Sequence, residues 1–304
     1  MTDSDLDRET AFSLLADEVR VRIVDELGAA TASPETGIPR LTYADLKSRV
    51  AVRDSGRFNY HLTKLLGTYV AKDEDGYRLR WPGMVLYRTL VAGLLTHDGD
   101  PDLGRFEVGT DCHRCDEPIE AHLYETLFRV RCWACDANYT DVYLPSNGLT
   151  DRGEANLLQA VHRRSRTVFG SMTAGQCPWC AAAVAPEIHE TDGDLPSLHD
   201  TRDLDTYAVF HCTDCTGFQY APVSRVLCFE PAVIAFYHDH DRDLTTTPAW
   251  TLPWAVTDRT TTVLGTDPWR FSVRIPLDDE VLEVELDGDL SILETHRETR
   301  EADT

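Results

Sequence analysis

Apolar residues recur at helical spacing from the start of the chain. Phe12, Leu15, Val19 and Ile23 form one stripe, and Leu27 continues it. Asp17 offers a cap for a second helix after a break near Ala16, and Gly28 offers its end. Residues 29–40 read as a loop. Thr42 caps a short helix over 43–50, a turn follows over 51–54, and Ser55 caps a helix to about Leu66, ended by Gly67. Residues 69–81 then read as a hairpin around a tight Asp-Glu-Asp-Gly turn. Pro82 suits the first turn of another helix, running to about Leu95.

Beyond residue 100 the pattern shortens. Short strands carrying cysteine pairs occupy 105–145, a helix spans 151–172, and cysteine pairs return over 175–228. Residues 230–240 predict a helix. The remainder is strand-rich, with runs at 250–256, 261–265, 269–277, 280–288 and 290–296, and Asp287-Gly288 marks a hairpin turn. The expected fold is a multidomain α+β chain. Residues 1–98 form a winged helix-turn-helix domain, 105–148 and 175–228 two zinc-ribbon-like modules, 149–174 a connecting helix, and 229–304 a β-rich α+β domain. The two cysteine-bearing segments repeat one plan, as a duplicated module would.

Charge sharpens this picture. The 304 residues include 52 acidic and 29 basic side chains, a net charge of −23. Only Lys47, Lys64 and Lys72 are lysines; the other 26 are arginines. A carboxylate-rich, lysine-poor surface is the halophilic composition expected in concentrated salt, where screening acts within about 3 Å at 1 M. No apolar run reaches the roughly 18 residues of a membrane span, and the polar, acidic start is no signal peptide. A soluble, cytoplasmic protein without a membrane partner is expected. Residues 40–80 nevertheless carry nine positive and five negative charges, against 16 and 36 over 101–304. The single basic island is where a DNA-binding element belongs.

The island coincides with the helix order of a winged helix-turn-helix, in which one helix enters the major groove while its back packs on the domain. On helix 55–66, Phe58, Leu62 and Leu65 form the back. Arg57, Tyr60 and Lys64 gather opposite, with His61 at the edge and Ser55 and Asn59 near the helix start. Arg57 suits guanine edges or phosphate, and Lys64 suits phosphate. Arg53 precedes the helix, and Lys72, Arg78 and Arg80 of the hairpin offer DNA-backbone contacts. A solvated amphipathic helix would carry a similar face; helix order, hairpin and basic island together favour the DNA-binding reading.

The same residues carry a resemblance. Residues 11–27 (AFSLLADEVRVRIVDEL) resemble the opening of ArsR-like winged-helix regulators. Residues 43–83 resemble that domain in regulators of halophilic archaea, where Ser55 to Leu62 begin the reading helix. The likeness covers 8–96 and extends more weakly to haloarchaeal proteins with CxxC-rich and β-rich parts. It implies sequence-specific binding of double-stranded DNA, often as a homodimer, with helix 82–95 as the interface. The cysteine motif of metal-responsive members is absent, since no cysteine precedes Cys112.

Eight of the nine cysteines form four C-x-x-C pairs: Cys112/Cys115, Cys132/Cys135, Cys177/Cys180 and Cys212/Cys215. A two-residue spacer aims both thiolates at one metal. The first two pairs match the spacing of a four-cysteine zinc site; the second two require a polar loop over 189–205. Two structural Zn2+ ions are expected. An iron–sulfur cluster is the less favoured occupant, and a cytosolic setting disfavours disulfides. Cys228 reads as a small buried hydrophobe, or else a reactive thiol. His113 and His211 adjoin ligands, although the cysteine sets are complete without them. His238, Asp239, His240 and Asp241 read as a solvated helix end rather than a further metal site.

Arg163, Arg164 and Arg166 form a second basic cluster, suited to a DNA flank or to an ion-paired helix surface. Trp250, Trp254 and Trp269 are expected in the C-terminal core, with a ligand pocket as the other reading. No G-x-S-x-G, P-loop or G-x-G-x-x-G motif occurs, so no enzyme is expected. The expected function is a sequence-specific DNA-binding transcriptional regulator. Competing readings are a zinc-ribbon scaffold docking on transcription machinery or RNA, and a redox- or zinc-responsive sensor.

Overall fold

Side-chain caps start the first helices in the computed structural model, which describes residues 7–31, 40–95, 103–124, 127–149, 152–191 and 204–299. Asp7 accepts from the Thr10 amide at the head of α1 (Arg8–Ser13). Asp17 Oδ1 accepts from the Val19 amide at 2.9 Å ahead of α2 (Glu18–Thr31). Thr42 caps α3 (Tyr43–Val50), as its position predicts. The cap of α4 (Ser55–Leu65) is Asp54, not Ser55. Its carboxylate accepts from both the Gly56 and Arg57 amides, at 2.7 and 3.1 Å, while the Ser55 hydroxyl receives Lys47 Nζ at 2.5 Å. Strands β1 (Val70–Asp73) and β2 (Gly76–Leu79) form the expected hairpin, and α5 (Trp81–Val91) follows with Pro82 in its first turn. A Cβ at Gly76, whose φ is 136°, would stand 2.5 Å from the Leu41 carbonyl oxygen, so glycine is required there.

The chain divides into two units, residues 1–99 with 145–147, and residues 100–144 with 148–304. The first is built on α2. Ile23, Val24 and Leu27 bury against Leu46 and Val50 of α3, Phe58, Leu62 and Leu65 of α4, and Val70 and Leu79 of the hairpin. Two boundaries depart from expectation. Helix α5 stops at Val91 rather than Leu95, and α2 runs past Gly28 to Thr31. An interior helical glycine costs about 1 kcal/mol against alanine, but here it admits the Tyr87 ring: a Cβ on Gly28 would lie 2.2 Å from Tyr87 Cγ. Residues 32–39 of the expected 29–40 loop lie outside the described residues.

The second unit holds three antiparallel sheets, each in chain order. Strands β3 (Arg105–Asp111), β4 (Pro118–Tyr124), β5 (Leu127–Arg131) and β6 (Asn138–Tyr143) make the first. After α6 (Glu154–Thr173), strands β7 (Pro186–Glu190), β8 (Thr206–His211) and β9 (Phe218–Ala221) make the second. Helices α7 (Pro231–Asp239) and α8 (Pro253–Val256) precede the third, a meander of β10 (Thr261–Thr266), β11 (Trp269–Leu277), β12 (Glu280–Asp287) and β13 (Ile292–Thr299). The Asp287-Gly288 turn forms as predicted, with Asp287 Oδ1 accepting from the Asp289 and Ser291 amides.

Helix α6 serves two cores. Leu157 and Val161 join Ile119, Phe128, Val130 and Trp250 under the first sheet. Phe169 and Met172 join Phe210, Leu227, Trp254 and Phe271 in a core shared by the second and third sheets. The tryptophans are therefore divided: Trp254 is buried in one core and Trp250 in the other, while half-buried Trp269 packs on the former. Residues 250–256 are not a strand. A short 3-10 turn over Ala249–Thr251 leads to the single turn of α8. Pro248 and Pro253 lack N–H groups and stand at helix starts, and the run reads as strand-like because it is buried, not because it pairs. His189 and Glu190, expected in a loop, end β7, and residues 192–203 of that loop lie outside the described residues.

The close approach at Gly28 gives a sign test. Gly28→Ala, stabilising in an ordinary helix, is expected to destabilise the protein by about 1–3 kcal/mol through overpacking. Denaturant melts of Gly28→Ala, and of its combination with Tyr87→Ala to relieve the clash, check this.

Candidate metal centres and nucleic-acid interface

Each C-x-x-C pair sits on the same backbone device. The first cysteine amide donates to the carbonyl five residues on, at 2.8 Å in all four cases: Cys112 to Glu117, Cys132 to Ala137, Cys177 to Ala182 and Cys212 to Gly217. The residue after the second cysteine turns left-handed, with φ of 60° at Asp116, 62° at Asp136, 62° at Ala181 and 60° at Thr216. That turn points both sulfurs to the same side. None of the four residues is glycine, so each device holds a sparsely populated backbone conformation.

The turns meet in pairs. Sγ atoms of Cys112, Cys115, Cys132 and Cys135 all lie within 4.8 Å of one another, as do those of Cys177, Cys180, Cys212 and Cys215. The closest separations are 3.5 Å, between Cys112 and Cys135, Cys115 and Cys132, Cys177 and Cys215, and Cys180 and Cys212. Thiolates about 2.3 Å from a shared tetrahedral metal would stand roughly 3.8 Å apart, so both sets fit one soft cation each. All eight expected ligands are thus brought together, and no cysteine is oxidised.

Electrostatics point the same way. Burial pushes the Cys112 thiol up, but hydrogen bonds from Tyr139 Oη and the Arg114 and Cys115 amides bring it down to about 7. In the second set burial likewise raises Cys177, and the Cys180 and Trp179 amides return it to about 7. Other thiols of each set resist. Although the Glu117 amide favours a Cys115 thiolate, desolvation and the neighbouring sulfurs push it up to about 12. Cys180 is likewise pushed up to about 12, its sulfur neighbours outweighing the Ala182 amide. One sulfur of each set ionises readily, and full ionisation requires a cation.

Around the first set lies a shell that sequence reasoning missed. Tyr139 Oη donates to Cys112 Sγ at 3.3 Å, accepts from the His113 amide at 3.1 Å, and lies 2.6 Å from His113 Nδ1. His113 is therefore committed to Tyr139, while exposed His211 is outside the second set. Arg114 donates to the Cys135 carbonyl at 3.0 Å. The aspartates at 116 and 136, each directly after a C-x-x-C, were the available sequence signal, since Asp tolerates the left-handed region. Among the described residues no third ligand group forms. His240 Nε2 lies 3.3 Å from Glu280, and Asp239 pairs with Arg297 at 2.7 Å. Cys228 is buried, and burial holds its thiol up.

On α4, Phe58, Leu62 and Leu65 are buried and Arg57, Tyr60 and Lys64 exposed, as the wheel predicts; Ser55 and Asn59, near the helix start, are exposed as well. His61 is the correction. It is buried with Nδ1 3.5 Å from Asp17 Oδ1, because the α2 cap approaches that side of α4. It belongs to the packed face, not the presented one. Arg53, Lys72 and Arg80 are exposed, while Arg78 is half-buried, 3.4 Å from Asp73, which also takes Arg40 at 2.7 Å. Lys64 Nζ sits 5.7 Å from the Tyr60 ring and Lys72 Nζ 5.5 Å from Tyr77. No helix among the described residues is long and apolar enough to cross a membrane.

Native mass spectrometry is expected to find two metal ions per chain, falling to one in Cys132→Ala. Because thiolates bind and thiols do not, protons compete with the metal, so metal affinity should fall progressively as the pH is lowered. Metal retained unchanged at acid pH would contradict thiolate ligation.

No curated protein and no solved structure matches the chain. Residues 8–90 match a family model described as a domain of unknown function, DUF7347. Residues 109–292 match a second such description, DUF7351. That second match spans more than half of the chain and takes in both four-cysteine sets, so the protein belongs to the DUF7351 family.

Proposed function

We propose that the chain is a sequence-specific DNA-binding transcriptional regulator. In this reading residues 8–96 are a winged helix-turn-helix domain: α4 enters the major groove of double-stranded DNA, hairpin β1–β2 is the wing, and two structural Zn2+ ions hold the cysteine sets. One observation carries it. Arg53, Arg57 and Arg80 make no ion pair among the described residues, in a chain of net charge −23. By contrast Arg242, Arg270, Arg274 and Arg297, in the C-terminal part, are each paired with a carboxylate. Exposed cations without an ion pair on α4 and its flanks, where the back of the helix is fully packed, are what a polyanion would meet.

The roles divide by reach. Arg57 and Asn59 project from the first turns of α4, where a forked guanidinium meets guanine and an amide meets adenine. Lys64, Arg53, Lys72 and Arg80 hold phosphates, and Arg78, tied to Asp73, steadies the wing. Four thiolates leave no open coordination position, so zinc here is structural rather than catalytic. The ArsR-like resemblance adds homodimerisation through α5. Trp81 and Val85, one turn apart and 70% and 47% exposed, support that face as the interface.

Selection of bound genomic fragments in concentrated KCl, comparing wild type with Arg57→Ala/Lys64→Ala, tests the reading. An enriched motif lost in the variant is expected, with Arg57→Ala alone costing about 1–3 kcal/mol of discrimination. A folded, metal-loaded protein that enriches nothing would shift the function to a scaffold docking on transcription machinery or RNA. High salt leaves little gain from counterion release, so the salt slope should correspond to well under about ten phosphate contacts.

A further inference from the structure

Between the two cysteine-bearing sheets and α6, all within the second unit, lies a cavity of about 510 Å3, within the range of small-molecule sites. Its walls are unusual for an acidic chain. Phe169 of α6, Trp179 of the second cysteine set and Tyr139 of β6 supply flat apolar surface, and Arg225 and Arg129 reach it. Arg129 is answered by Asp141 at 3.5 Å, which also lines the cavity. Arg225 is not answered. Its guanidinium lies 5.7 Å from the Phe169 ring, and no carboxylate pairs with it among the described residues. Its near neighbours are Arg166, which repels it, and the Cys228 thiol, which burial keeps protonated. Arg225 is half-buried, desolvation holds its guanidinium below the usual arginine range, and a desolvated cation without a counter-charge is costly.

We infer that this cavity is a binding site for an aromatic carboxylate, its carboxylate forked onto Arg225 and its ring laid between Phe169 and Trp179. A guanidinium matches a carboxylate with two parallel hydrogen bonds, and the aromatic walls select a flat ring over a bare ion. Chloride, abundant in concentrated salt, can neutralise Arg225 but cannot fill the apolar wall. The inference is independent of DNA binding, since no residue of α4 or of the hairpin contributes.

Benzoate is the probe, with benzyl alcohol as its neutral isostere and inorganic phosphate as a bare anion. Calorimetric titration and thermal melts would use the metal-loaded full chain in concentrated KCl. Saturable benzoate binding that raises the melting temperature is expected, with neither control reproducing it. Arg225→Gln should weaken binding about tenfold or more, the loss of a charge-assisted pair, without lowering the melting temperature of the free protein. Ser165→Leu, which fills the cavity from α6 with a good helix former, should also abolish binding while both metals remain bound. Absence of saturable binding to wild type, equal binding of benzyl alcohol, or benzoate binding unchanged in both variants would overturn the inference.

Discussion

Four sulfur atoms drawn within 4.8 Å of one another cannot all give up their protons unless a cation stands among them. That condition applies at two places in the second unit, and the surrounding architecture is arranged to meet it. Four like turns aim the sulfurs, Tyr139 and the Arg114 and Cys115 amides favour the ionised form of Cys112, and the Trp179 and Cys180 amides that of Cys177. The two sheets that carry the turns have four and three short strands. Sheets of this size gain much of their order from such a cross-link, because little apolar area lies beneath each strand. Cys112, Cys132, Cys177 and Cys212 are themselves buried in the cores they organise, so coordination and packing share the same atoms.

Charge is distributed just as selectively. On the outer face of the C-terminal sheet, arginines alternate with glutamates across strands, as Arg270 with Glu285 and Arg274 with Glu283. Exposed pairs of this kind add little stability each, but they neutralise the cations of that face. Among the described residues, arginines without an ion pair include Arg53 and Arg57 at α4, and Arg163, Arg164 and Arg166 of α6 with nearby Arg225. Of the two readings of the Arg163, Arg164 and Arg166 cluster, a DNA flank or an ion-paired helix surface, the second is not met: none pairs with a carboxylate among the described residues, and Arg166 lies over the Phe229 ring at 4.7 Å.

What the sequence revealed was local. The C-x-x-C spacing, the Thr42 and Asp17 caps, the 69–81 hairpin and the Asp287-Gly288 turn all depend on residues within one turn of each other. The departures arise where a distant partner decides. Gly28 fails to end its helix because Tyr87, far along the chain, occupies the space beside it. His61 lies at the margin of a helical wheel, and only the approach of Asp17 decides its side. Residues 250–256 read as a strand because a largely buried stretch and strand pairing produce similar apolar runs. The cavity could not be read at all, since its wall is assembled from segments over a hundred residues apart.

Helix α6 also bears on how this chain can have descended. Its first half completes the core of one cysteine-bearing sheet and its second half completes the other. A cut between Val161 and Phe169 would leave each half of the helix beside its own sheet, but the first core would still lose Trp250, which comes from beyond the second sheet. The sheets repeat a plan, yet the first is not complete without a residue that follows the second. The two ends of α6 therefore answer to different neighbours inside one unit, and a substitution at either end is judged by a different core.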